Sequence, residues 1–183
     1  MKLPETYQWL ESIELPNTIQ EALALYGVHE VVGNGSNQTI IGWRDELNLA
    51  GVKIEGYSND DIPWCGLFAA IVAYRRMDNP KEVVESPLWA RNWVKYGVKV
   101  DTAGLGDILV FERGPSSGHV GFYVAEDSEC YHVLGGNQSD QVCITRVKKS
   151  RCIARRRPPY NTQPATVKPY HVKASGVVSK NEA

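Results

Sequence analysis

Apolar residues recur at helical spacing over residues 9–25, lapse in a Gly/Asn-rich stretch over 27–38, and recur over 40–49, which predicts two helices joined by a loop. Farther on, Leu67, Phe68, Ala69, Ile71, Val72 and Tyr74 leave no polar face, the pattern of a buried helix. Asn59, Asp60 and Asp61 are capping residue types and Pro63 suits a first turn, so this helix is expected to begin near Cys65. The period then changes. Leu105-Gly106-Asp107 reads as a turn into a buried strand, Ile108-Leu109-Val110-Phe111. After a polar loop over 112–118, the run His119-Val120-Gly121-Phe122-Tyr123-Val124 predicts a second strand and a hairpin. Gly121 is expected to admit a close helix or substrate backbone. A third strand, Cys130-Tyr131-His132-Val133-Leu134, ends in Gly135-Gly136-Asn137-Gln138, and Arg151, Ile153 and Arg155 alternate as in an edge strand.

With 183 residues, 43% of them hydrophobic and 22% charged, the chain can bury a core without disulfides. One domain over 1–158 is expected, followed by an extended or disordered tail over 159–183 that is proline-spaced and polar. A net charge of −1 argues against nucleic acid as a partner. The one basic cluster, residues 148–157, reads as solvated charge or as an attraction for anionic polymers. No run approaches the roughly 20 apolar residues of a membrane span, so no membrane insertion is expected, and the start shows no export signal. The cysteines lack metal-ligand spacing, so neither a metal nor a cofactor is expected.

Candidate chemistry concentrates in three places. At a helix start, unsatisfied N–H groups and the positive end of the helix dipole favour a thiolate, which suits Cys65 to nucleophilic attack. His119, at the loop end of its strand, suits a base that takes a proton from the sulfur and returns it to a leaving group. Asn137 would accept from one imidazole N–H and leave the other nitrogen to the sulfur, with Gln138 and His132 as substitutes, or the tetrad is a plain turn. Asp61 either caps or takes a substrate amine. Trp64, Trp89 and Trp93 either line a groove or belong to the core. With Gly118 beside the histidine, the candidate substrate contacts are Asp61, Trp64, Trp93 and Gly118.

These stretches carry a resemblance. Ile62-Pro63-Trp64-Cys65, Trp89-Ala90-Arg91-Asn92-Trp93, Gly106-Asp107-Ile108, Gly118-His119-Val120-Gly121-Phe122-Tyr123 and Leu134-Gly135-Gly136-Asn137-Gln138 occur in that order between residues 19 and 158. In this the chain resembles the CHAP and NlpC-type cell-wall cysteine peptidases, and more narrowly a family of small phage and bacterial proteins with the same five motifs. The resemblance implies an α+β, papain-like fold, with N-terminal helices and the nucleophile at a helix start packed on a small antiparallel sheet. It further implies a cysteine peptidase or amidase that cleaves peptidoglycan within the stem peptide or at the sugar-linked L-alanine. Cys65 would be the nucleophile, His119 the base and then acid, and Asn137 the orienting group. Members of the family often carry histidine or an acidic residue in that third place. A phage lysin or an antibacterial effector would reach the wall through a holin, a virion or a secretion machine, and an effector would have an immunity or inhibitor protein as partner. A thiol acyltransferase, a protein peptidase and a non-catalytic wall-binding module are the alternatives.

Overall fold

The computed structural model describes residues 2–174 and 176–179. A 3-10 segment, Glu5–Ser12, leads into three helices: α1 (Asn17–Ala24), α2 (Gln38–Leu49) and α3 (Cys65–Arg75). Every residue of α3 from Cys65 to Ala73 is buried, because α1, α2 and the sheet all pack against it. That enclosure explains a helix with no polar stripe. Each fully buried Leu or Phe on it contributes roughly 1.5–3 kcal/mol of transfer free energy.

Asp60 and Asp61 do not cap α3. The residue before the helix is Trp64, which makes no side-chain capping bond. Asp60 is instead wholly buried and accepts from the backbone N–H groups of Val31 (3.0 Å) and Asn37 (2.8 Å), tying down the 27–38 loop. Burial pushes its carboxyl up, but the amide bonds outweigh that and hold it below the usual range. The loop also pairs with the far end of the chain's middle: Gly27 N–H donates to Val142 O and Glu30 N–H to Asp140 O.

The fold is mixed α+β, with six strands in one antiparallel sheet of order β1-β6-β2-β3-β4-β5. The strands are β1 (Val98–Lys99), β2 (Ile108–Glu112), β3 (Gly118–Glu126), β4 (Cys130–Gly135), β5 (Cys143–Lys148) and β6 (Cys152–Arg157). β2 and β3 form the expected hairpin, with Phe111 opposite His119. Alternation sorts the side chains into two layers. Ile108, Val110, Val120, Phe122 and Val124 join the core around α3, where Phe68 meets Phe122 edge-on at 5.9 Å. Leu109, Phe111, Tyr123, Tyr131, Val133 and Val147 build a second cluster. Gly121 does permit a close approach, but by β4: a Cβ there would fall 2.6 Å from Val133 Cγ1.

β6 is not an edge strand along its whole length, since β1 covers Arg156 and Arg157. Its arginines make internal bonds. Arg155 donates to Tyr131 Oη (2.8 Å), Arg156 to the Tyr96 and Gly97 carbonyls, and Arg157 forms a two-pronged pair with buried Asp107 (2.9 and 2.8 Å). Residues 159–172 pack against the rest, with a turn in which Val167 N–H donates to Pro164 O. Lys168 O accepts from Leu105 N–H, Tyr170 stacks on Trp9 with 4.5 Å between ring centres, and Val172 N–H donates to Glu126 O. No helix among the described residues is long and apolar enough to cross a membrane.

Candidate active site

Cys65 is the first residue of α3, and Gly118 and His119 open β3. Cys65 and Gly118 line one groove of about 400 Å³. The segment that follows β4 touches both elements. Gly136 lies against the start of α3 so closely that a Cβ would come within 2.6 Å of both Phe68 Cβ and Trp64 Cζ3. At Gly135 a Cβ would stand 2.9 Å from Gln138 Oε1 and 3.2 Å from His119 Nε2. The two glycines thus let one strand end pack under the cysteine's helix and let a side chain fold back beneath the histidine.

That side chain is Gln138. His119 is fully buried, and its Nε2 is 3.0 Å from Gln138 Oε1. The amide's orientation follows from its other bonds. Gln138 Nε2 lies 3.1 Å from Val133 O, 3.3 Å from Gly135 O and 2.6 Å from Cys143 O. Only an NH₂ group suits a ring of carbonyls, so the oxygen must face the imidazole. Gln138 therefore accepts from His119 Nε2–H, and the neutral ring carries its basic lone pair on Nδ1. Phe111 flanks the ring, nearly parallel to it at 6.4 Å.

Asn137, the residue expected to meet His119, does something else. Its backbone is in the left-handed region at φ 54°, which turns Gln138 toward the histidine. Its own Oδ1 is 3.4 Å from the backbone N–H of Trp64, and its Nδ2 donates to Glu30 Oε1 at 2.8 Å. Trp64 Nε1 donates to the same Glu30 oxygen at 2.6 Å. Glu30 and Asn137 thereby hold the turn just ahead of Cys65. Burial raises the Glu30 carboxyl, the Trp64 bond opposes this, and Asp140, Asp60 and Asp61 add to it. Glu30 lies among Val28, Val31 and Val32, and a lone acid in an apolar loop was the signal that could have found it.

The other named residues divide cleanly. Trp64 and Trp93 are fully buried, the latter bonded through Nε1 to Pro87 O at 2.9 Å, so both belong to the core. Trp89, by contrast, is 66% exposed and lines the groove with Cys65. Asp61 is exposed, takes part in a turn with Asn59, and is not among the groove residues. His132 belongs to a separate buried chain. It lies 2.9 Å from Asp127 Oδ2 and 2.7 Å from Tyr7 Oη, with Arg146 also on Asp127. Among the described residues, no group of three or more His, Cys, Asp or Glu side chains is arranged to hold a metal ion.

Compared with known proteins, the chain matches no family model and no curated protein sequence.

Proposed function

We propose that this chain is a papain-like thiol hydrolase of the NlpC/CHAP kind that cleaves an amide bond of peptidoglycan. One observation carries the reading: Gln138 fixes the tautomer of His119 beside a groove that Cys65 lines from a helix start. Gln138 takes Nε2–H, so the exchange of a proton with Cys65 Sγ runs through Nδ1.

The reaction follows. His119 Nδ1 takes the thiol proton as Cys65 Sγ bonds to the amide carbon, giving a tetrahedral oxyanion. We assign the backbone N–H of Cys65, in the first turn of α3, as one donor to that oxyanion; such a donor lowers the barrier by roughly 3–4 kcal/mol. The C–N bond then breaks, the imidazolium protonates the departing amine, and a thioester remains. Water, deprotonated by His119, displaces the sulfur and restores the thiol. Gln138 neutralises no charge here. It is a positioning residue, holding the ring through both half-reactions. Glu30 and Asn137 support the turn that carries Cys65.

A peptidoglycan substrate requires the protein to act outside the cytoplasm, delivered by a holin, a virion or a secretion machine. Mass spectrometry of fragments released from purified peptidoglycan tests the reading. Wild-type protein is expected to create new amine and carboxyl termini that Cys65→Ala does not. Equal release by the two proteins, or none by either, would overturn it.

A further inference from the structure

His119 is the second residue of β3, one step beyond the turn that closes the β2/β3 hairpin. The ladder ends at the pair Glu112 and Gly118, so residues 113–117 lie outside it. Loops and fraying ends are the parts of a fold that open most easily. A base that must take a proton from one sulfur and return to it through two half-reactions needs that end held still.

Arg91 holds it. It comes from the 3-10 segment Ala90–Lys95, and its guanidinium spans the turn: Nε–H donates to Ser117 O at 3.0 Å and Nη2–H to Gly114 O. Ser117 O also accepts from the backbone N–H of Arg113 at 3.2 Å, which closes the turn on itself. The stem of Arg91 lies across Gly118, where a Cβ would stand 3.0 Å from Arg91 Cγ and 2.8 Å from Phe111 O.

The same 3-10 segment rests on the helix of the nucleophile. Asn92 Nδ2 donates to the carbonyls of Glu85 (3.2 Å) and Ser86 (3.1 Å), and Trp93 Nε1 to that of Pro87, which fastens residues 85–88 to the segment. That stretch abuts α3 at Gly66, the residue after Cys65: a Cβ there would collide with Pro87 O and stand 2.8 Å from Leu88 O. A continuous path therefore runs from Gly66 through the backbone of residues 87–91 to the Arg91 guanidinium, Ser117 and Gly118. Cys65, Arg91, Ser117 and Gly118 all line the one groove.

We propose that Arg91 is a positioning residue for the Cys65 and His119 pair: by bracing the β2/β3 turn against the stretch seated on the first turn of α3, it sets the separation of sulfur and imidazole. This rests on the thiol-hydrolase reading above and adds to it a residue that acts through His119. Gln138 fixes the ring's tautomer, and Arg91 fixes where the strand end that carries the ring stands. Lysine is no equivalent, because one ammonium on a flexible stem lacks the rigid fork that reaches two carbonyls together.

The test compares full-length wild type, Arg91→Ala and Arg91→Lys by steady-state kinetics on solubilised peptidoglycan and by iodoacetamide labelling of Cys65 at pH 7. Urea titration checks folding, and Arg91→Lys, which keeps the stem over Gly118, carries the test if Arg91→Ala does not fold. In Arg91→Ala, kcat is expected to fall about 100-fold, the scale of a misplacement of about 1 Å, with KM changed less than about twofold. Labelling of Cys65 should slow about tenfold, since the thiol loses its base. Arg91→Lys should recover only part of either rate. Folded variants with wild-type kcat and labelling would overturn the assignment and leave the thiol-hydrolase reading standing, as would a raised KM at unchanged kcat, the mark of a substrate contact. Wild-type Cys65 labelled no faster than in folded His119→Ala would overturn both.

Discussion

Gln138 Oε1 accepts a hydrogen bond from His119 Nε2 at 3.0 Å, and three backbone carbonyls around Gln138 Nε2 keep the amide from turning over. Replacing Gln138 by Ala removes what fixes the ring's tautomer while leaving the groove walls in place. Steady-state kinetics on solubilised peptidoglycan should show kcat reduced about 100-fold, the low end of what a general base supplies, with KM little changed. Asn137→Ala should act differently. It removes the bonds to Trp64 and Glu30 and puts a Cβ-bearing residue without a polar side chain at φ 54°, so it should lower unfolding stability by about 1–3 kcal/mol in urea titration. Equal effects of the two variants on kcat at equal stability would contradict this division of labour.

Gly136→Ala tests the close approach of the strand end to α3. The added Cβ would meet Phe68 Cβ and Trp64 Cζ3 at 2.6 Å, neither of them the far end of a flexible chain. A loss of about 1–3 kcal/mol is expected from overpacking, with activity lost in parallel because Cys65 sits on the displaced turn.

His132 supplies a pH signature. Burial lowers its pKa below the ordinary 6.5, with the Arg146 charge acting the same way and Asp127 opposing both. The folded protein therefore holds a neutral ring that donates to Asp127 and accepts from Tyr7, while the unfolded chain takes up a proton. This part of the stability is complete above pH about 6.5 and is lost as pH falls below it. Asp127 acts in a lower window. Burial pushes its carboxyl up, but bonds from Arg146, the Glu129 and Cys130 amides and His132 bring it well below the usual 3.8, so its contribution disappears as pH falls below that value. Thermal melts should show a downward step beginning near pH 6.5 in the wild type, absent in His132→Gln.

Arg157→Met leaves Asp107 buried without its two-pronged partner. Burial already raises that carboxyl, and Arg157 and the Gly104 amide are what oppose it. Breaking a buried pair from one side costs about 3–5 kcal/mol, to be read from guanidinium unfolding. Arg157→Met with Asp107→Leu should recover much of the loss.

The positions of the helix start, of the β2/β3 hairpin and of the buried β4 were legible because each coincides with a change of hydrophobic period. The partner of His119 was not. Gly135-Gly136-Asn137-Gln138 reads equally as a turn, and which amide reaches the ring depends on the positive φ at Asn137, which no pattern of apolar residues encodes. The tryptophans were ambiguous for a related reason. Core and groove both favour indoles, and only packing separates buried Trp64 and Trp93 from exposed Trp89. Asp60 and Asp61 have the composition of a cap, yet Asp60 is drawn off by two amides of the 27–38 loop, a long-range choice that local sequence leaves open.

The central claim, that Cys65 is a nucleophile served by His119, is tested most directly by alkylation with iodoacetamide at pH 7, mapped by peptide mass spectrometry in wild type and His119→Ala. Burial raises the thiols of Cys130, Cys143 and Cys152, so they should react slowly. The account predicts that Cys65 is labelled at least about tenfold faster than these three and that His119→Ala, still folded, abolishes the difference. Labelling of Cys65 no faster than the others, or equally fast without His119, would contradict it.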